Sequence, residues 1–207
     1  SFHWAPRIFD RYREAPGYEG DMFFFTVVDP AAPSIAERAR DDSWSTANRL
    51  TFAKDAVRAL NELHSAQVEP DSDGGPMIHR NLSPVTILVR HDGSPILTGF
   101  ESTRLPSELS IGSVTPPSGD QEDHIPPEIM REGTAAADVR SDIYSMARSL
   151  QRVFDARQDS ESQEAVAILI GYADLDPRQR GSLQDLDSAL TGLLGESIPY
   201  PTPLKVK

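Results

Sequence analysis

The chain has 207 residues and a net charge of -12 at pH 7. This length suits one domain with a substantial core, and the acidity argues against nucleic acid or an anionic membrane as the main partner. The sequence contains no cysteine and no apolar run long enough to span a bilayer. We therefore expect a cytoplasmic protein without disulfides or thiolate metal sites.

The first third of the chain predicts strands followed by helices. Residues 1–30 read as strand, turn and strand, and residues 22–28 are the most strand-like because they are aromatic and β-branched. Ser34 and Glu37 have the spacing of a capping box, which predicts a short helix over residues 34–40. Residues 45–65 form the clearest helix, with apolar residues at helical spacing.

Residues 78–101 are the most informative stretch of the sequence. They begin with a polar loop that contains His79-Arg80-Asn81-Leu82 and Pro84. Two apolar runs of β type follow, at 86–89 and 95–98, with a turn at 91–94 between them, and the stretch ends with Gly99-Phe100-Glu101. The turn contains Asp-Gly, which is a strong hairpin signal between two strands.

This stretch resembles the catalytic loop and metal-binding segment of protein kinases. The family has His-Arg-Asp-Leu, then Asn five residues after the Asp, then Asp-Phe-Gly. In a kinase the loop Asp accepts the substrate hydroxyl proton, and the Asn and the second Asp hold magnesium ions. The three matching positions here are Asn81, Thr86 and Gly99.

These three residues lack the chemistry of the family. The amide of Asn81 cannot act as a base, the hydroxyl of Thr86 is a weak magnesium ligand without a carboxylate beside it, and Gly99 has no side-chain ligand. The resemblance therefore implies a kinase-like fold without catalytic residues, metal or cofactor, that is, a pseudokinase rather than an enzyme.

Later segments match the same family in the same order. A Ser/Pro/Gly-rich stretch at 102–124 has the place of the activation segment, followed by segments that match family signatures: Pro126-Pro127-Glu128, Ser141-Asp142, Asp176-Pro177 and Arg180. Helical spacing predicts a helix over 164–173 with Val166, Leu169 and Ile170 inward, and another over 182–194 capped by Ser182.

The resemblance assigns structural roles to six residues. It implies an ion pair between Glu128 and Arg180, and an Asp142 carboxylate that accepts backbone N–H groups of the His79-Arg80 loop. His79 and Phe100 are expected to be packing residues. Arg80 is expected to stabilise the loop. The alternative is that Arg80 binds a phosphate on the activation segment, where Ser110, Ser113, Thr115 and Ser118 are the candidate acceptors.

The predicted fold class is α+β, mainly α, arranged as a kinase-like large lobe with part of a small lobe. Residues 1–28 would be a remnant of small-lobe strands, 29–44 the hinge and a short helix, 45–195 the large lobe, and 196–207 an extended tail. No lysine precedes Lys54 and no glycine-rich phosphate loop precedes residue 22. The few polar residues at 155–161 stand where the family has a docking helix. Arginine greatly outnumbers lysine, a usage typical of GC-rich bacterial genomes.

The sequence leaves three functions open. The first is an inactive interaction or regulatory module that binds a protein partner or another domain of the same protein. The second is part of a Ser/Thr protein kinase whose small lobe and atypical catalytic residues lie outside this chain, with Asp92 and Glu101 as the remaining carboxylates near the loop. The third is a purely structural domain of a larger protein.

Overall fold

The computed structural model of the chain describes residues 32–66, 75–104 and 122–195. This part is mainly helical and has one two-stranded antiparallel sheet, which confirms the α+β, mainly α prediction. Several predicted features lie outside the described residues: the strands at 1–28, most of the hinge before residue 32, most of the stretch at 102–124, and the tail at 196–207.

Six α-helices and two strands follow one another within the described residues. They are α1 (Ile35–Arg38), α2 (Thr46–Ser65), β1 (Ile87–Val89), β2 (Pro95–Leu97), α3 (Pro127–Glu132), α4 (Val139–Gln151), α5 (Ser160–Tyr172) and α6 (Leu183–Leu193). Short 3-10 turns occur at Phe100–Ser102, Glu122–His124, Thr134–Ala136 and Pro177–Gln179. None of the described helices is both long and apolar enough to cross a lipid bilayer.

Local capping chemistry sets the starts of the predicted helices. The Ser34 hydroxyl accepts from the Glu37 N–H at 3.3 Å, and the Glu37 carboxylate accepts from the Ser34 N–H at 2.8 Å. Ser182 caps α6 in the same reciprocal way with Asp185. Each cap satisfies N–H groups that have no partner inside the first helical turn, which fixes where the helix begins.

The hairpin forms where the Asp-Gly pair predicted it. β1 and β2 pair antiparallel, with Val89 opposite Pro95 and Ile87 opposite Leu97. Gly93 has a φ of +86°, a left-handed conformation that glycine adopts without a Cβ clash. The tight turn therefore places the end of β2, and the residues that follow it, beside the loop that leads into β1.

The core is built around α2, which packs against α4, α5, α6 and β2. Its apolar side chains, among them Leu50, Phe52, Val57, Leu60 and Leu63, are at most 2% exposed. Burial of such a stripe on several sides makes α2 the central scaffold element of the described part.

Arg49 of α2 is a fully buried cation that its sequence position did not indicate. Its guanidinium donates to the carbonyl oxygens of Trp44 at 2.7 Å, Asp41 at 2.8 Å and Ala39 at 3.1 Å, and also to that of Val153. Burial lowers the pKa of this guanidinium. The side chain therefore ties the loop after α1 to the end of α4 through backbone oxygens.

The prediction for α5 was wrong in two details. The helix begins at Ser160 rather than at residue 164, because the Asp159 carboxylate caps it by accepting from the Ser162 N–H at 2.9 Å. Leu169 is fully buried, but Ile170 is 54% exposed. Adjacent residues lie about 100° apart around a helix, so the face that buries Leu169 turns Ile170 towards solvent.

Candidate functional site

The loop before β1 is anchored by one buried carboxylate. Asp142, in the first turn of α4, is 1% exposed and accepts from the His79 N–H at 2.7 Å and the Arg80 N–H at 2.9 Å. The same carboxylate lies 2.9 Å from Nε2 of His64 on α2. With both of its oxygens engaged, Asp142 serves as an anchor for the loop, and the backbone contact predicted from the sequence is present.

Arg80 carries the strain of this loop. Arg80 has a φ of +65°, which places it in the left-handed region although it is not a glycine. This conformation costs a residue with a Cβ about 1–2 kcal/mol. The fork of hydrogen bonds to Asp142 on its N-terminal side holds the turn in place. Arg80 also lines a small cavity of about 70 Å³ between the loop and α3. The phosphate acceptors that the sequence offered, Ser110, Ser113, Thr115 and Ser118, lie outside the described residues.

Asn81, Thr86 and Gly99 lie together in one corner beside the loop. The Asn81 side-chain amide donates to the Gly99 carbonyl at 3.3 Å, and the Thr86 hydroxyl donates to the Asn81 carbonyl at 2.7 Å. The Thr86 hydroxyl also accepts from the Ser83 N–H at 2.9 Å. The neutral polar groups at these three positions therefore bond to the loop itself.

A side chain at position 99 would crowd the side chains of Asn81 and Thr86. A Cβ added to Gly99 would lie 2.8 Å from Nδ2 of Asn81 and 3.1 Å from Cγ2 of Thr86. Gly99 also has a φ of +83°, which a residue with a Cβ adopts only with strain. A carboxylate here would require Asn81 to move, so the residues at these three positions fit one another sterically.

His79 and Phe100 pack against each other beneath the loop. Their ring centroids are 4.8 Å apart and the ring planes are inclined by 50°. His79 is fully buried, and Phe100 packs against the main core. Two backbone hydrogen bonds between Ile78 and Arg104, at 3.0 and 2.8 Å, join the residue before the loop to the residue that ends this stretch of chain. Both rings thus have the packing positions that the resemblance implied.

The predicted ion pair between Glu128 and Arg180 is present and bidentate. The two N–O distances are 2.7 and 2.9 Å, and the Arg180 side chain is 0% exposed. Ser141 donates to Glu128 at 2.9 Å, and the guanidinium lies 4.7 Å from the Tyr144 ring centroid. Burial alone would raise the pKa of Glu128, but the hydrogen bonds from Arg180 and Ser141 outweigh it and lower the pKa.

Of the two carboxylates considered for residual chemistry, only Asp92 has a side chain within the described structure. Asp92 is exposed in the hairpin turn, at the opposite end of the hairpin from Gly99, and accepts from Ser94. Hydrogen bonds from Ser94 lower the pKa of Asp92. The side chain of Glu101 lies outside the described part. Within residues 32–66, 75–104 and 122–195, no three His, Asp or Glu side chains cluster as metal ligands would.

Sequence reasoning missed features that depend on long-range contacts. The approach of His64 to Asp142 joins residues 78 positions apart, and only the helical spacing of α2 could have indicated which way His64 points. It also missed a cleft of about 390 Å³ that Arg40, Arg148 and Arg152 line. No local motif links these arginines.

Comparison with known proteins leaves the chain unassigned. No family model matches the sequence, and no curated protein matches it. The resemblance to protein kinases therefore stays a prediction that depends on the motifs, their order and their spacing.

Proposed function

We propose that the chain is a protein-kinase-like domain that has lost phosphoryl transfer and acts as an interaction or regulatory module. One observation carries the proposal: the three positions matched to the family's base and metal ligands hold Asn81, Thr86 and Gly99. These residues hydrogen-bond to one another, and a Cβ at position 99 would displace the Asn81 side chain. In the family these positions hold an Asp that acts as the base, and an Asn and a second Asp that bind magnesium.

The contrast between these residues and their surroundings supports the same proposal. Three buried residues, Glu128, Asp142 and Arg180, match family positions. Their charged side chains form hydrogen bonds with the residues around them. Such contacts hold the shape of a lobe. A chain that keeps the contacts of the scaffold retains a surface that partners can bind. The same chain cannot transfer phosphate if the groups that carry out this chemistry have been replaced.

The absence of nucleotide binding is tested by thermal unfolding with and without magnesium-ATP, next to an active protein kinase. A ligand that binds only the folded state raises the melting temperature, so we expect a clear shift for the kinase and none for this chain. A shift comparable to that of the active kinase would refute the proposal.

The absence of phosphoryl transfer is tested with radiolabelled ATP and a generic protein substrate. We expect no label on the substrate or on the chain. The triple substitution Asn81→Asp, Thr86→Asn and Gly99→Asp, which introduces the family's residues, should remain inactive because the φ of +83° at position 99 strains any residue with a Cβ. Label transfer by the unmodified chain that disappears on substituting Asp92 or Glu101 would instead favour an atypical enzyme.

A further inference from the structure

A cleft between α1, α4 and the loop before β1 is lined by three arginines and by two aspartates, Asp123 and Asp155, both of which pair with Arg152. Arg40, which follows α1, lines the cleft together with Arg148 and Arg152 at the end of α4. We call this feature the arginine cleft. Its volume of about 390 Å³ is within the usual range for ligand pockets and is enough for a few side chains of a bound peptide.

Two of the arginines, Arg40 and Arg148, form no ion pair with a carboxylate within the described residues, although Glu37 attracts Arg40 electrostatically. The Arg148 guanidinium is held by Tyr144, 5.5 Å from the ring centroid, and by Gln151, whose side-chain oxygen accepts at 3.3 Å. Within the described residues no carboxylate forms an ion pair with Arg148, and Arg40 is exposed without a side-chain hydrogen bond. Arg148 is therefore oriented by neutral groups, which leaves guanidinium donors for a ligand.

The third arginine is engaged only weakly. Arg152 contacts Asp155 at 3.1 Å and Asp123 at 3.4 Å, and all three side chains are more than 40% exposed. Exposed ion pairs of this kind contribute about 0–1 kcal/mol. Arg148 and Arg152 lie at the end of α4, where the helix dipole favours cations. The dipole of α4 does not explain Arg40, which follows α1.

The lining of the cleft fits a peptide better than a nucleic acid. Small apolar residues, Ala36, Ala39, Pro84 and Ala156, share the lining with the arginines and with Asp123, His124 and Asp155. The small residues allow an extended backbone to approach closely. A longer polyanion would reach beyond the cleft over a chain whose net charge is -12. A short segment stays within the cleft, and at physiological salt the remote charges are screened over about 8 Å.

We propose that the arginine cleft binds a short acidic segment of a protein partner, with carboxylates that pair with Arg40 and Arg148. This inference rests on the proposed function, because it names the class of partner that the inactive module would capture. Guanidinium–carboxylate hydrogen bonds supply the specificity, and the apolar lining supplies contact area.

The test measures fluorescence anisotropy of a labelled peptide of about ten residues in which Glu alternates with Gly. A second peptide with Gln in place of Glu is the matched probe. At physiological ionic strength we expect the chain to bind the Glu peptide and not the Gln peptide. The double variant Arg40→Gln and Arg148→Gln should weaken binding about tenfold or more, since single hydrogen bonds to charged groups have effects of that size. Equal binding of the two peptides would overturn the proposal.

The control variant is Arg131→Gln with Arg178→Gln, two exposed arginines that do not line the cleft. It makes the same change in net charge, from -12 to -14, because each double variant loses two arginines. We expect the control to bind within about twofold of the unmodified chain, whereas an equal loss in both variants would show non-specific attraction and refute the cleft.

The single variant Arg40→Gln keeps the test decisive if the double variant unfolds, since Arg40 makes no side-chain hydrogen bond within the described part. It should weaken binding about threefold or more, and unchanged binding would contradict the proposal. Failure of the Glu peptide to bind would refute the arginine cleft as a binding site but would not affect the proposed absence of phosphoryl transfer. Phosphoryl transfer would refute the proposed function without affecting a positive peptide result.

Discussion

Replacing Glu128 with Gln should remove much of the stability of the described fold. The substitution keeps the shape of the side chain but removes the charge that faces Arg180, whose side chain is 0% exposed. Arg180 would remain as a buried cation without its carboxylate. Because Glu128 lies in α3 and Arg180 lies just before α6, the loss should affect both helices rather than one turn.

The expected size follows from the burial of the pair. Breaking a buried ion pair by removing one partner costs about 3–5 kcal/mol, a large part of the about 5–15 kcal/mol by which folded proteins are stable. For a chain of this length each kcal/mol lowers the melting temperature by about 2–4 °C. Glu128→Gln should therefore lower it by about 6–20 °C.

Urea and thermal unfolding followed by circular dichroism measure this loss. Asp155→Asn is the matched control, since it breaks an ion pair with Arg152 in which both side chains are more than 40% exposed, and it should cost less than about 1 kcal/mol. A loss below about 1 kcal/mol for Glu128→Gln would refute the argument that the buried pair stabilises the lobe.

The pH dependence gives a second check on the same pair. The pKa of Glu128 is lowered in the folded state. Its contribution is therefore complete above the unfolded value, near 4.5, and is lost as the pH falls through the lowered value. The stability difference between the unmodified chain and Glu128→Gln should shrink in that acidic range. A difference that stays constant down to the acid transition would contradict the assignment.

Three further predictions test other parts of the structure. Gly99→Asp should destabilise the fold by about 1–2 kcal/mol because of its left-handed backbone and its contact with Asn81, and calorimetry should detect no magnesium binding; tight binding would show that the corner is open. Asp159→Ala should cost about 1 kcal/mol because it removes a helix cap. Hydrogen bonds lower the pKa of Asp159 to about 2, so the stability difference between the unmodified chain and this variant should disappear as the pH falls from 3.8 towards 2. A stability difference that persists at lower pH would contradict this prediction. Leu169→Ala should cost about 2–5 kcal/mol and Ile170→Ser less than about 0.5 kcal/mol in urea unfolding, and similar losses would show that the assigned faces of α5 are wrong.

Features with short-range causes were predictable. The capping boxes at Ser34 and Ser182 and the Asp-Gly turn all depend on residues within a few positions of one another. The ion pair between Glu128 and Arg180 spans 52 positions and was predicted only because the resemblance supplied the pairing. Helix spacing alone could not have chosen that partner.

Features that depend on packing were missed or misjudged. The start of α5 was placed four residues late because its first turn is polar and its cap, Asp159, also accepts from Thr46 at 2.9 Å, a residue 113 positions away. Ile170 was expected inside because it is apolar, yet composition does not state which side of an apolar helix meets the core.

The sequence by itself determined the central helix α2, the capping boxes, the hairpin and the neutral side chains at Asn81, Thr86 and Gly99, because capping, turn and side-chain chemistry act locally. Only the tertiary structure decided that these three residues close one corner together and that arginines from α4 and the segment after α1 line one cleft. The physical reason is that proximity between distant residues is created by burying α2 and its neighbours in a common core. A polar residue far from its partner in the chain carries no local signal of the contact that gives it a role.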